Sequence, residues 1–99
     1  MEEFLALLKD INKTENLINS STYQGKTYLT NGSEEDYDPK VIKAIELACE
    51  HLITSNGRNS IINIKILRDY GFNVYAGERD SFCWLSGCIE TRKGIIVYG

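Results

Sequence analysis

The stretch that decides the fold class is FNVYAGERDSFCWLSGCIETRKGIIVY, residues 72–98. Its β-prone apolar runs lie at 72–76, 82–85 and 95–98, and short polar connectors separate them. Short alternating runs joined in this way are typical of strands connected by hairpins. The stretch therefore predicts an antiparallel meander of three strands at the C-terminal end of the chain.

The middle run of the meander predicts a central strand. The alternation of side chains in this run continues to Ile89 and gives the predicted strand two faces. One face carries Phe82, Trp84, Ser86 and Cys88, and the other carries Cys83, Leu85, Gly87 and Ile89. Because both faces are largely apolar, we expect helices to cover one face and leave the other available to a partner. Gly87 is expected to mark a bulge or a close approach of backbone.

Two segments before the meander predict helices. Asp38 followed by Pro39 is a helix-start signal, and Asn56-Gly57 supplies a stop, so a helix is predicted over 39–54. Its apolar stripe has the i, i+3, i+4 spacing of a helix that packs on a core. The N-terminal helix is predicted from the spacing of Phe4, Leu7, Leu8 and Ile11, and Leu17 and Ile18 could extend it.

Residues 60–70 are compatible with a strand or a helix. Isoleucines at 62, 64 and 66 alternate with polar residues, as in a strand, whereas Ile62, Ile66, Leu67 and Tyr70 fit one helix face. Ser60 as N-cap and Gly71 after the last turn favour the helix. Between the first two helices, residues 19–25 are predicted as a loop and 26–30 as a short strand closed by Asn31-Gly32.

These elements together predict a single α+β domain over residues 1–99. Its core is expected to be an antiparallel sheet of three to four strands, which includes the C-terminal meander. Two or three helices are expected to pack on that sheet.

Charge and cysteine content narrow the classes of function. The formal net charge of −3 disfavours direct nucleic-acid binding, which needs clustered Lys and Arg. Residues 1–50 hold ten acids and five bases, whereas residues 51–99 hold four acids and six bases.

The chain has three cysteines, an odd number, whereas a secreted disulfide scaffold normally has an even number. With no apolar run of 18 residues and no apolar leader, we expect a cytoplasmic protein without a membrane span.

The sequence contains no recognisable set of catalytic or metal-binding residues. Cys49 and His51 are two apart on a predicted helix, so their side chains point about 200° apart and cannot hold one ion together. Cys83 and Cys88 fall in the expected core, where thiols are usually inert. We therefore predict no catalytic residue, no metal and no cofactor.

The acidic run Glu34, Glu35, Asp36, Tyr37, Asp38 is the first candidate binding site. Four carboxylates in five residues imitate the spaced negative charge of a nucleic-acid backbone and would steer a basic groove toward themselves. The alternative is a solvated loop whose acids complement the N-terminus of the following helix, with Asp38 as its cap.

An aromatic hairpin is the second candidate binding site, formed by Tyr75, Glu78, Arg79, Asp80 and Trp84. Aromatic residues and arginine are enriched at the energetic centres of protein interfaces. The same residues could instead line a pocket for a planar ligand such as a base, or the rings could simply complete a small core.

Three hypotheses of function follow. The first is a non-catalytic binding protein that inhibits a host defence or nucleic-acid-handling protein through its acidic surface; in size and charge the chain is similar to small accessory proteins of phages and mobile elements. The second is a protein that binds or sequesters a nucleotide-like small ligand. The third is a small enzyme. A protein partner is expected under the first, and a homodimer is compatible with all three.

Overall fold

The computed structural model describes residues 1–15, 21–23, 25–30, 32–76 and 87–99. The helices are α1 (Glu2–Lys13), α2 (Pro39–Leu52) and α3 (Ile61–Asp69), and a 3₁₀ turn spans Glu34–Asp36. The strands are β1 (Ser21–Tyr23), β2 (Lys26–Tyr28), β3 (Asn73–Ala76), β4 (Gly87–Glu90) and β5 (Ile95–Tyr98). The α+β class is confirmed.

The sheet is mixed, and the prediction of an antiparallel sheet is wrong. Its order among the described strands is β1-β2-β5-β4-β3. The meander β3-β4-β5 is antiparallel, as predicted, but β2 pairs with β5 in parallel through Tyr28 and Ile95. The backbone N–H of Leu29 donates to the carbonyl oxygen of Ile95 at 2.8 Å and extends this contact. Two strands therefore come from the N-terminal half of the chain.

The loop predicted over 19–25 contains strand β1. This strand pairs antiparallel with β2, and Tyr23 stands opposite Lys26. Gly25, in the connection between these two residues, has a φ of +80°. Connections of two residues in hairpins need such positive φ angles, which glycine supplies most easily. Gly25 was thus the sequence signal for this hairpin.

Helices α1 and α2 follow their predicted patterns. α1 ends at Lys13, and the following Thr14 has an extended backbone. The predicted extension by Leu17 and Ile18 lies outside the described residues. α2 begins at Pro39 behind its predicted cap, Asp38. It ends at Leu52, two residues before the predicted end, because Ile53 has an extended backbone.

Helix α3 resolves the ambiguity of segment 60–70, but its buried face differs from the predicted one. Ile64 and Leu67 are buried, whereas Ile62 is 75% exposed and Tyr70 is 56% exposed. Ser60 caps the helix, as predicted, because its Oγ accepts from the N–H of Asn63 at 3.4 Å. Of the predicted face, Leu67 is buried and Ile66 packs half-buried against the core, whereas Ile64 contacts the core instead of Ile62 and Tyr70.

The buried residues of the three helices and the sheet form one cluster. Within this cluster, one row of buried side chains crosses the meander: Val74 of β3, Ile89 of β4 and Ile96 of β5. Neighbouring residues point to the opposite face of the sheet, where Tyr75 is 57% exposed and Val97 is 40% exposed. The helices therefore cover one face, as expected for the central strand.

The described part of β4 begins at Gly87, so the predicted run 82–85 lies outside the described residues. Gly87 and Ile89 share the buried face, and Cys88 points to the other face. Cys88 is only half-buried, which corrects its placement in the core. No helix in the described ranges is long and apolar enough to cross a membrane.

Candidate functional site

The acidic run forms a single 3₁₀ turn directly before α2. Glu34, Glu35 and Asp36 make up this turn and are exposed. The backbone N–H of Tyr37 closes it by donating to the carbonyl oxygen of Glu34 at 3.1 Å. Three consecutive carboxylates are thereby held at the surface, and we call residues 34–36 the acidic turn.

The last two residues of the run anchor the acidic turn to the fold. Tyr37 is half-buried, and its Oη donates to the carbonyl oxygen of Thr30 at 3.0 Å. Asp38 is 8% exposed, and its Oδ1 accepts from the backbone N–H of Lys40 at 2.9 Å. Because this bond satisfies a free donor at the start of α2, Asp38 acts as an N-cap. The predicted patch thus contains three surface carboxylates and two anchoring residues.

A cleft of about 320 Å³ lies beside the acidic turn. It is lined by Glu34 and Tyr37 of the acidic run, by Ile45 of α2, by Val97 and Tyr98 of β5, and by Gly99. We call it the acidic cleft. Lysine and arginine side chains have an apolar stem and a charged end, and they bury the stem while the end seeks a carboxylate. The acidic cleft has the chemistry to accept such a side chain.

Of the second predicted site, only Tyr75 belongs to the described residues. Glu78, Arg79, Asp80 and Trp84 lie outside them. The Oη of Tyr75 donates to Oε1 of Glu90 at 3.2 Å. This hydrogen bond to a carboxylate, together with its negative charge, raises the pKa of the Tyr75 phenol above its ordinary value.

Sequence reasoning missed a second group of polar residues, around Glu90. Asn73 donates through Nδ2 to Oε1 of Glu90 at 3.2 Å, beside the hydrogen bond from Tyr75. Glu90 follows the predicted central strand in the sequence, but in the structure it is the last residue of β4 and stands opposite Asn73. The register of the meander was the signal that could have identified this pair.

The described thiols and the histidine do not form a catalytic arrangement. Cys49 and Cys88 form no disulfide within the described residues, and Cys83 lies outside them. The ring of His51 stacks on the ring of Phe4, with centroids 6.1 Å apart and planes 16° apart. In the part of the chain that the structure describes, no three His, Cys, Asp or Glu side chains are grouped to hold a metal ion.

Tyr98, next to the acidic cleft, carries a buried phenol. The side chain is 2% exposed, and its Oη has no hydrogen-bond partner among the described residues. Burial is the main cause that raises the pKa of Tyr98 to about 12, and the nearby thiols of Cys88 and Cys49 act in the same direction. This phenol therefore stays protonated at neutral pH.

Neither the models of known protein families, nor the curated proteins, nor the solved structures gave a match to this chain.

Proposed function

We propose that this chain is a non-catalytic cytoplasmic protein that binds a basic surface of a protein partner through the acidic turn. The observation that carries the proposal is that Glu34 lines a cleft together with the apolar side chains of Ile45 and Val97. A basic side chain of the partner would place its stem against Ile45 and Val97 and its charged end beside Glu34.

The charges near the acidic turn favour such a partner. Lys40 is the basic residue nearest to the turn in the sequence, but its ammonium is 3.0 Å from Asp10 and 3.0 Å from the Oγ1 of Thr14. It therefore joins α2 to α1 instead of neutralising the turn. Within the described ranges, neither Glu34 nor Glu35 has an ion-pair partner within 4 Å. The negative electrostatic potential of these two carboxylates can therefore attract a basic surface.

The proposed partner is a protein that normally handles nucleic acid in a basic groove. Three adjacent carboxylates present spaced negative charge to such a groove, as a phosphate backbone does. A protein of this size that occupies the groove would compete with nucleic acid and inhibit the partner. The similarity in size and charge to accessory proteins of phages and mobile elements supports a host protein as the target.

Affinity capture with matched variants tests this proposal. The wild-type chain, E34Q/E35Q and the control E46Q/E50Q are each immobilised and exposed to the same host lysate at low and high salt. Both double variants remove two exposed carboxylates, but Glu46 and Glu50 lie on α2, outside the acidic turn. Duplex DNA or RNA is added to release the bound proteins, and mass spectrometry identifies the released and the retained proteins.

We expect the wild type and E46Q/E50Q to retain the same partner, and E34Q/E35Q to lose it. Binding should weaken as salt rises, because salt screens the exposed charges, and nucleic acid should displace the partner. Equal capture by all three chains, or a partner that nucleic acid does not displace, would contradict the proposal. Equal thermal unfolding of the three chains confirms that loss of capture does not come from unfolding.

A further inference from the structure

A second cavity, of about 440 Å³, lies at the other end of β5 from the acidic cleft. Its walls come from the ends of α1 and α3 and from the turn between β4 and β5. The residues that matter for its chemistry are Asn12, Tyr70, Asn73, Glu90 and Arg92. We call it the β-turn cavity. Its volume is within the usual range for sites that bind small molecules.

Glu90 places a fixed carboxylate in this cavity. Its Oε1 accepts hydrogen bonds from Asn73 and Tyr75, both at 3.2 Å. Within the described part of the chain, its Oε2 has no hydrogen-bond partner. Two donors on one oxygen hold the orientation of the group, and the other oxygen can accept N–H donors from a ligand.

Arg92 contributes an opposite charge to the same cavity. Its backbone N–H donates to Oδ1 of Asn12 at 2.8 Å, and the Oγ1 of Thr91 donates to the carbonyl oxygen of Gly94 at 2.7 Å. These bonds hold the β4–β5 turn in place. In the described ranges the guanidinium has no carboxylate within 4 Å, Glu90 included. The cavity therefore suits a ligand with N–H donors at one end and an anionic group at the other.

Tyr70 supplies an aromatic wall. The residue is 56% exposed, and the ammonium of Lys9 lies over one face of its ring, 4.8 Å from the centroid, so a base would stack on the other face. An exposed ring of this kind binds flat heterocycles by stacking. The neighbouring ammonium adds positive charge close to the aromatic wall.

A smaller cavity of about 260 Å³ continues from the β-turn cavity and shares Glu90, Thr91 and Arg92 with it. Lys26 and Lys93 line this smaller cavity. Two lysines beside an arginine favour a phosphate over a carboxylate as the anionic group, since a phosphate carries more charge and more acceptor oxygens. This end of the molecule is basic although the chain as a whole is acidic.

We propose that the β-turn cavity binds a guanine nucleotide. The base stacks on Tyr70, its ring N–H and exocyclic amino group donate to Glu90, and its phosphate binds Arg92 with the two lysines nearby. Adenine and cytosine place an acceptor nitrogen beside their amino group, and this nitrogen repels a carboxylate. The site shares no residue with the acidic cleft, so this inference does not depend on the proposed protein partner.

Titration of the full chain with GMP, followed by amide NMR and calorimetry, tests the site. AMP, guanosine and inorganic phosphate are the comparison ligands. The variants are E90Q and R92Q, with E46Q and R58Q as controls that change the same residue types at exposed positions elsewhere. E90Q keeps one acceptor oxygen for Asn73 and Tyr75 but removes the charge and replaces the other oxygen with an NH2 donor, which opposes the N–H donors of guanine.

We expect saturable GMP shifts at residues 12, 70–73 and 90–92, with weaker binding of AMP. Loss of the charged hydrogen bonds to the base should weaken GMP binding by about tenfold or more in E90Q. R92Q should bring the GMP affinity closer to that of guanosine, while Lys26 and Lys93 keep part of the phosphate binding. Absence of saturable shifts, or equal affinity for GMP, AMP and phosphate, would overturn the proposal. So would an equal effect of E90Q and E46Q when both variants unfold at the same temperature as the wild type.

Discussion

At the residue scale, Gly87 leaves room for the ring of Tyr98 and for the backbone of Tyr75. Gly87 and Tyr98 stand opposite each other on β4 and β5. A Cβ added to Gly87 would lie 2.5 Å from Oη of Tyr98 and 2.7 Å from the carbonyl oxygen of Tyr75. No other residue type fits without displacing backbone, which confirms the close approach predicted for this glycine. The tyrosine ring covers the space that a side chain would fill.

The phenol of Tyr98 gives a prediction about stability. Because its buried Oη has no hydrogen-bond partner among the described residues, Y98F should raise the free energy of unfolding by about 1 kcal/mol. The matched control is Y37F, which removes the hydrogen bond to Thr30 and should lower the free energy of unfolding by about 1 kcal/mol. Urea unfolding measures both. A loss of stability in Y98F would show that its hydroxyl is satisfied.

The same phenol gives a prediction about pH. Its pKa is about 12 in the folded chain and about 10 in the unfolded chain. Between these values the folded state holds the proton and the unfolded state releases it, so the free energy of unfolding should fall as pH rises from about 10 to about 12. Below pH 10 this group has no effect. Unfolding at several pH values should show a smaller fall for Y98F than for the wild type, and equal falls would contradict the assignment.

At the scale of elements, local hydrogen bonds determine where α2 begins and where α3 begins and ends. The cap of α2 is Asp38, as the sequence predicts. α3 ends in a Schellman motif, in which the N–H of Phe72 donates to Leu67 and that of Gly71 to Arg68. Gly71 has a φ of +92°, which the motif requires. These signals lie within a few residues of each helix end, and this is why the sequence alone located them.

Substitution of Asp38 separates its role as a helix cap from the effect of its charge on stability. D38A should lower the free energy of unfolding by about 1 kcal/mol, since the N–H of Lys40 loses its acceptor. D38N should retain most of the stability, because asparagine caps helices as well as aspartate does. Thermal unfolding of both variants measures this. Equal destabilisation by D38A and D38N would mean that the charge of Asp38, rather than the cap, stabilises the fold.

The buried face of α3 shows the limit of prediction at this scale. Ile61 and Ile62 are as apolar as Ile64, yet they are 80% and 75% exposed. Helical spacing allows more than one apolar stripe in a segment that contains four isoleucines, and only packing against β3 and α2 selects one.

At the scale of the whole molecule, β5 joins the two halves of the sheet. It pairs with β4 over four residue pairs, and with β2 through Tyr28 opposite Ile95. Next to this pair, the N–H of Leu29 donates to the carbonyl oxygen of Ile95, the side chain of Leu29 is buried in the core, and the N–H of Val97 donates to Oγ1 of Thr30. The hairpin is thus less extensively paired to the sheet than the meander is.

Native-state hydrogen exchange should reveal this difference. The amides of Ile89 and Ile96, in the middle of the meander, should exchange only when most of the chain unfolds. The amide of Tyr23 should exchange through a local opening, with a free energy lower by about 2 kcal/mol or more. Equal protection of Tyr23 and Ile96 would show that the hairpin and the meander unfold together.

The sequence by itself determined the helices α1 and α2, the meander, the caps and the acidic run, because each depends on residues that are close in the chain. Three features became visible only in the folded structure. β2 pairs with β5 in parallel. Glu34 and Val97 line one cleft, and Glu90 accepts hydrogen bonds from Asn73 and Tyr75 beside another. Those contacts join segments far apart in the sequence. Their geometry depends on how the whole core packs, and a local pattern of polar and apolar residues does not encode it.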